Sequence, residues 1–267
     1  YDASDIYEGL GNHDATQVPR FLTYTKGVDD VHPSEGSAWF YVMKEGKNGA
    51  RDNLFIFMAQ ELTNTSGTHT GVNFSDEQMD WVEGLLETYA GTETNIFLIV
   101  HPMIKNFGPG DRVDGAYSQP LYFNDNYPGN MRFKELLTTY KEVIKMSGHT
   151  HLALREGLNF SDENGTAARM IHNPSISQPR GYTSSGSISY DNGGTTTGTT
   201  GSEGYLVYVY EDCVAYVGYD LTYKQAIPTA SYLIPLYSED RDGAVSIAIT
   251  KQPTKTTYED GEWFDGA

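Results

Sequence analysis

Residues 95–100, Asn-Ile-Phe-Leu-Ile-Val, constrain this chain more than any other stretch. β-branched and aromatic side chains favour a strand. A strand that is apolar at successive positions needs cover on both faces, as in a parallel sheet. The run follows an amphipathic segment, Ser75 to Gly91, in which Met79, Val82, Leu85, Leu86 and Tyr89 recur at helical spacing. Ser75 is the expected N-cap, with Gln78 three residues on, and Gly91 the expected C-terminal stop. A helix feeding a buried strand predicts an α/β fold.

The neighbouring segments extend this pattern. Residues 37–45 (SAWFYVMKE) and 53–60 (NLFIFMAQ) read as paired strands joined by the turn-like GKNGARD, and residues 5–10 (DIYEGL) as a short strand. A second helix is expected over 131–140 (MRFKELLTTY), before a strand at 142–146 (EVIKM). Beyond 152 the pattern turns to strands and loops. The polar stretch 184–204 reads as a mobile hairpin loop. YLVYVYED and CVAYVGYDL read as an antiparallel pair whose many tyrosines pack on sheet faces.

Three expected strands stop at residues that carry chemistry. DIYEGL ends at Gly11-Asn12-His13-Asp14, the 95–100 run at His101-Pro102, and EVIKM at Ser147-Gly148-His149-Thr150-His151. In open α/β sheets, sites gather beyond the carboxyl ends of strands. Asn12, His101, His149 and His151 are therefore expected to converge. Neutral imidazoles with an amide oxygen suit Zn, Fe or Mn, whereas an oxygen-only site would suit Mg or Ca. His149 and His151 would share a face on a strand, or at a turn could address two ions. Two ions at roughly 3.5–4 Å form a clamp for the oxygens of a displaced phosphoryl group. His13 is a candidate proton donor to a leaving oxygen, and Asp14 a candidate to orient it. Arg180 is a candidate phosphate contact in a loop, and Gln119 and Asn126 could shape a pocket. His32 and His69 read as loop residues.

Composition narrows the partners. With 18 basic against 36 acidic residues the net charge is −18, which excludes a nucleic-acid role because phosphate backbones need basic patches. Cys213 is the only cysteine, so neither a disulfide framework nor a cysteine zinc site is available. No apolar run reaches 18 residues, so no membrane span is expected. The chain opens YDASDIYEGL without an initiator Met and reads as a trimmed or proteolysed chain; its acidic, Tyr-, Thr- and Gly-rich composition fits a secreted or surface protein.

Gly11-Asn12-His13-Asp14, the strand-end His101 and Gly148-His149-Thr150-His151, in that order, resemble the calcineurin-like metallophosphoesterase superfamily. SDEQMDWVEGLL, before the His101 strand, resembles the family's linking helix; GNMRFKELLTTYKEVIKMSGHTH, NPSISQPRGYT and SEGYLVYVYEDCVAYVGYDLTYKQAIP resemble one bacterial secreted branch of it, and the likeness covers about residues 5–236. The resemblance implies a four-layer α/β/β/α sandwich with two mixed sheets between helices, here without its N-terminal βαβ portion. It implies hydrolysis of phosphomonoesters or phosphodiesters with two divalent or trivalent metal ions, Mn, Fe or Zn, on a small phosphorylated substrate. Asn12, His101 and His149 would bind one ion and His151 would help bind the other. His13 would be the catalytic proton donor, and His172 would lie at the site rim, a substrate-binding candidate beside Arg180. The family's Asp-X-His and Gly-Asp-X-X-Asp motifs lie upstream of Gly-Asn-His-Asp and are not in this sequence. The chain alone is therefore expected to hold metal partially at most and to hydrolyse esters at background rate. An N-terminal fragment or a swapped chain would complete the sheet.

The terminal ITKQPTKTTYEDGEWFD resembles the opening strand of a bacterial Ig-like repeat. The implied organisation is a phosphoesterase domain over 1–237, then a linker and the start of an Ig-like domain over 238–267, in a secreted or cell-surface protein of bacteria. The competing reading is a non-catalytic surface binding or adhesion module on the same scaffold.

Overall fold

Phe40–Lys44 (β1) and Asp52–Met58 (β2) pair antiparallel, with Phe40 opposite Phe57 and Lys44 opposite Asn53. This computed structural model describes residues 6–11, 30–47, 50–62, 72–104, 106–110, 127–157, 159–176, 181–182, 188–189, 201–236 and 247–248. The chain divides into two compact units, one of Tyr1–His149 with Ser161–Ile171 and one of Thr150–Phe160 with His172–Ala267.

In the first unit, Glu61–Leu62 (β3) and Val72–Asn73 (β4) form a small antiparallel ladder before the helix Asp76–Tyr89 (α1). The Ser75 side chain accepts the Gln78 backbone N–H and so satisfies one of the donors a helix start leaves unpaired. Asp76 and Glu77 sit in the first turn, where the helix dipole favours acids. Past the Ala90 cap, Gly91 takes φ +72°, the left-handed conformation that stops a helix at least cost on glycine. Thr94–Val100 (β5) follows and pairs parallel with β2, Asp52 opposite Thr94 and Met58 opposite Val100.

A second helix, Pro128–Thr139 (α2), leads to Ile144–Ser147 (β6), parallel to β5. It starts three residues before the expected Met131, because Pro128 is pre-set for the first helical turn. Gly129 then lets the helix close on the preceding chain: a Cβ there would stand 2.0 Å from the Phe74 carbonyl oxygen. With Phe160–Ser161 (β7) and Arg169–His172 (β8), the strands make a mixed six-stranded sheet in the order β1-β2-β5-β6-β8-β7.

Leu54, Ile56 and Met58 of β2 and Ile96, Leu98 and Val100 of β5 pack with Met79, Val82 and Leu86 of α1 and Phe133, Leu136 and Leu137 of α2 in one buried cluster. Each such side chain contributes roughly 1.5–3 kcal/mol on burial. Phe40 stacks on Phe57 and Phe55 on Phe97, with ring centroids 4.6 and 4.9 Å apart. The two-sided burial expected of residues 95–100 is met for all but Ile99, which is partly buried.

The strand expected over DIYEGL is not formed. Asp5 lies outside the described residues, and residues 6–10 join no ladder. Both edges of β2 are already taken, by β1 and β5. A Cβ on Gly9 would touch Phe57 and Ile99, and Leu10 is buried with Ala38 and Ala59.

In the second unit a 3-10 turn, Leu154–Glu156, precedes the strands. Gly181–Tyr182 (β9) and Ile188–Ser189 (β10) pair antiparallel, and most of the expected 184–204 loop lies outside the described residues. Glu203–Val209 (β11) and Cys213–Asp220 (β12) form the expected antiparallel pair. The sheet continues through Tyr232–Pro235 (β14) to Ile247–Ala248 (β15), with Gln225–Ala226 (β13) also on β12. The tyrosines serve packing: Tyr205 meets Tyr216 edge-on at 5.6 Å, and Tyr232 stacks on Phe160 at 5.5 Å. The expected domain boundary at 237/238 lies outside the described residues. No helix among them is long and apolar enough to cross a membrane.

One residue of the first unit breaks the core pattern. Lys145 of β6 is fully buried and pairs in register with Leu98. Its Nζ lies 2.7 Å from the Ser147 hydroxyl, to which it donates, and no ion pair is formed with it among the described residues. Burial pulls its pKa down to about 7 from 10.5. The unfolded chain therefore holds the extra proton between about pH 7 and 10.5, and stability rises with pH across that window. Below it the cost is complete. Lys145→Met should raise the unfolding temperature at pH 7 by about 5 °C or more, and the gain should shrink towards pH 10. Thermal melts of both forms across this range check it, and a less stable variant at pH 7 would contradict the account.

Candidate functional site

The parallel strands β5 and β6 lie side by side, so their carboxyl ends deliver the next residues to one edge of the sheet. His101 follows Val100 directly, and Gly148-His149 follows Ser147. The Gly148 N–H donates to the His101 carbonyl at 2.9 Å and ties the two strand ends together. The rings then meet nearly perpendicular, at 82°, with His101 Nε2 3.1 Å from His149 Nδ1. Both residues are half-buried.

Gly11 reaches the same place. A Cβ on Gly11 would stand 3.3 Å from His101 Nδ1, tight enough that the ring would have to give way. The chain thus enters Asn12 from beside the His101 ring, whereas Asn12, His13 and Asp14 themselves lie outside the described residues. Arg180, His69, Gln119 and Asn126 lie outside them as well.

The turn after β6 carries backbone strain. His149 has φ +73° and His151 φ +60°, the left-handed region where a side chain is crowded against its own backbone. Glycine or asparagine would sit there more easily, and two such histidines in three residues is a costly choice. Strain of this kind is kept where a side chain must be aimed.

The second unit holds the rest of the turn. Thr150 is fully buried, and its hydroxyl lies 3.3 Å from Nε2 of His172, which is also fully buried. The His172 backbone N–H donates to the Asn159 carbonyl at 2.8 Å. In this position His172 supports Thr150. His151, in the same unit, is half-buried.

His101 and His149 fit a shared cation. Two imidazole nitrogens bound to one ion at about 2.1 Å each stand about 3.0–3.4 Å apart, and the observed separation is 3.1 Å. The pair equally fits a hydrogen bond in which one ring donates and the other accepts. Among the described residues no group of three His, Cys, Asp or Glu is gathered for a metal ion. The remaining thiol offers no nucleophile, since burial pushes Cys213 up to about 12.

Other sequence candidates fall elsewhere. His32 lies in a loop, as expected, with Nδ1 2.9 Å from the Ser37 carbonyl. Two residues at the same sheet edge as His101 had no assigned role. Ala59 and Gln60 follow β2, and reading FMAQ as a strand end hid them.

Comparison with models of protein families, with curated proteins and with solved structures found no match.

Because His149 is held at positive φ, His149→Gly should leave the metal-free chain more stable than His149→Ala, by about 1 kcal/mol. Urea unfolding of the two variants measures the difference. Equal stabilities would show that the turn is not strained at this position.

Proposed function

We propose that this chain carries the histidine half of a metal-dependent phosphoesterase site, in a protein that hydrolyses phosphoric esters within the four-layer sandwich of the calcineurin-like superfamily. The observation that carries the reading is the His101–His149 pair: two imidazole nitrogens 3.1 Å apart, delivered by the ends of neighbouring parallel strands. The entry of Gly11 beside the His101 ring supports it, because that glycine leads into Asn12-His13-Asp14. The strain at His149 and His151 supports it too.

In this reading His101 Nε2 and His149 Nδ1 hold one metal ion with the Asn12 side chain, and His151 contributes to a second. Bound there, the metal pair supplies positive charge that polarises the phosphoryl group and lowers the pKa of water. The chain's own residues do the rest. The Gly148–His101 bond fixes the two ligand-bearing loops against each other, so the imidazoles need little reorganisation when charge develops. His13 donates its proton to the ester oxygen as the bond from phosphorus to that oxygen breaks and the bond from the water oxygen to phosphorus forms. Asp14 holds the His13 ring in the tautomer that can donate. Export to the bacterial surface or medium fits the composition.

The test uses the protein expressed from its complete reading frame, its metal content, and a panel of aryl phosphomonoesters and phosphodiesters. Metal should copurify, and His101→Ala and His149→Ala should each lower both metal content and turnover, turnover by about 100-fold or more. His13→Ala should keep the metal but lower kcat by about 100-fold or more, with the larger loss on esters of poor leaving groups. A well-folded protein that holds no metal and cleaves none of the panel would overturn the assignment in favour of a surface binding module.

A further inference from the structure

The sheet edge that presents His101 also holds buried polar atoms that no described residue partners. Gln60 is only 2% exposed, yet among the described residues neither its Nε2 nor its Oε1 has a hydrogen-bond partner. Trp39 is half-buried, and its Nε1–H is buried without an acceptor among the described residues. Both belong to one neighbourhood. Ala59 stands one residue past the Met58–Val100 pair, level with His101, and it packs with Leu10, Ala38 and Trp39. Leu10 runs into Gly11, which lies against the His101 ring.

The residues on either side of Gln60 are held by another residue. Gln78 of α1 accepts the Ala59 N–H at 2.9 Å and donates to the Ala59 carbonyl at 3.1 Å. It also donates to the Glu61 carboxylate at 2.8 Å, which accepts the Ser75 N–H at 2.6 Å. This clamp holds the segment on either side of position 60 and asks nothing of the Gln60 side chain. A methionine or leucine would fill the position without burying an unpaired amide. Buried polar groups left unpaired in a folded protein call for a partner from outside it.

The geometry points to Gln60, with Trp39, as a substrate-binding subsite that selects phosphoric esters of hydroxyl-bearing alcohols; this assignment rests on the phosphoesterase reading above. The chemistry follows from what each atom can do. Trp39 Nε1–H and Gln60 Nε2–H are donors and take ester or phosphoryl oxygens. Gln60 Oε1 only accepts, and an ionised phosphate offers it nothing, since all its oxygens are acceptors. The donor must come from the alcohol portion, as a hydroxyl close to the ester. Glycerol, sugar and nucleoside phosphates share that feature, and simple alkyl phosphates lack it.

The experiment compares glycerol 2-phosphate with isopropyl phosphate, whose carbon skeleton around the ester is the same but which lacks the hydroxyls, in the complete protein and its Gln60→Met form. The wild type should favour glycerol 2-phosphate in kcat/KM by about tenfold or more, because a site built to bind a hydroxyl disfavours the analogue without it. Gln60→Met should erase most of that preference while its melting temperature stays level or rises. Trp39→Phe should weaken both esters together through KM. An active wild type whose preference is absent, or survives in Gln60→Met, would overturn the subsite and leave the phosphoesterase reading standing. A lower melting temperature in Gln60→Met would make the amide structural and overturn the subsite as well. A wild type inert towards both esters and towards the aryl panel would overturn both readings.

Discussion

Everything at the candidate site depends on the register of three parallel strands. β5 is flanked by β2 and β6, and its pairs Met58–Val100 and Ile99–Met146 bring the three carboxyl ends level. A strand that is apolar on both faces specifies register weakly, because a slip by one residue still buries apolar side chains. Polar contacts at its two ends restore the specification. Asn95 donates to Asn53 at 2.9 Å where β5 begins, and the Gly148 N–H binds the His101 carbonyl just beyond its end. Moving β5 one residue against β2 would break the Asn95–Asn53 contact, moving it against β6 would break the Gly148–His101 contact, and either slip would turn the His101 ring to the opposite face.

Elements whose signals are local were legible in the sequence. α1 carries its own start and stop, in Ser75 and Gly91, and both act as that chemistry requires. β1, β2, β5 and the β11–β12 pair follow from apolar patterning. Where neighbours decide, the reading weakened. DIYEGL has strand-like composition, but both edges of β2 are already taken, and residues 6–11 lie against Phe57, Ile99 and His101 instead. β6 was expected over 142–146 and runs Ile144–Ser147, because Lys141 and Glu142 form the turn that reverses the chain after α2.

At the site the same division holds. Strand-end histidines were visible as a pattern, and the structure joins His101 to His149. The left-handed backbone of His149 and His151 was not visible, since nothing in Gly-His-Thr-His announces a positive φ at residues other than glycine. Gln60 was invisible for a different reason. A glutamine closing an apolar strand looks like the first solvated residue, and only the Gln78 clamp, from a helix 19 residues on, shows that it is buried with its neighbours' needs already met. Near the carboxyl ends of the parallel strands, His149 at φ +73°, the buried Gln60 amide and the Trp39 indole depart from local rules, while other departures, such as Lys224 at φ +54° and the buried Lys145, lie elsewhere.

The chain's charge bears on the kind of recognition that the proposed function would require of this edge. A net charge of −18 opposes the approach of a phosphate dianion at long range. That repulsion falls off within about 8 Å at physiological ionic strength. The groups proposed to meet a ligand there are imidazoles at His101 and His149, an amide at Gln60 and an indole at Trp39, and the nearby Glu61 carboxylate is taken up by the Ser75 N–H and Gln78. Hydrogen bonds from such neutral dipoles gain strength in a buried setting and do not require a basic patch. An acidic surface therefore does not argue against a phosphorylated ligand. It moves the burden from steering to close contact.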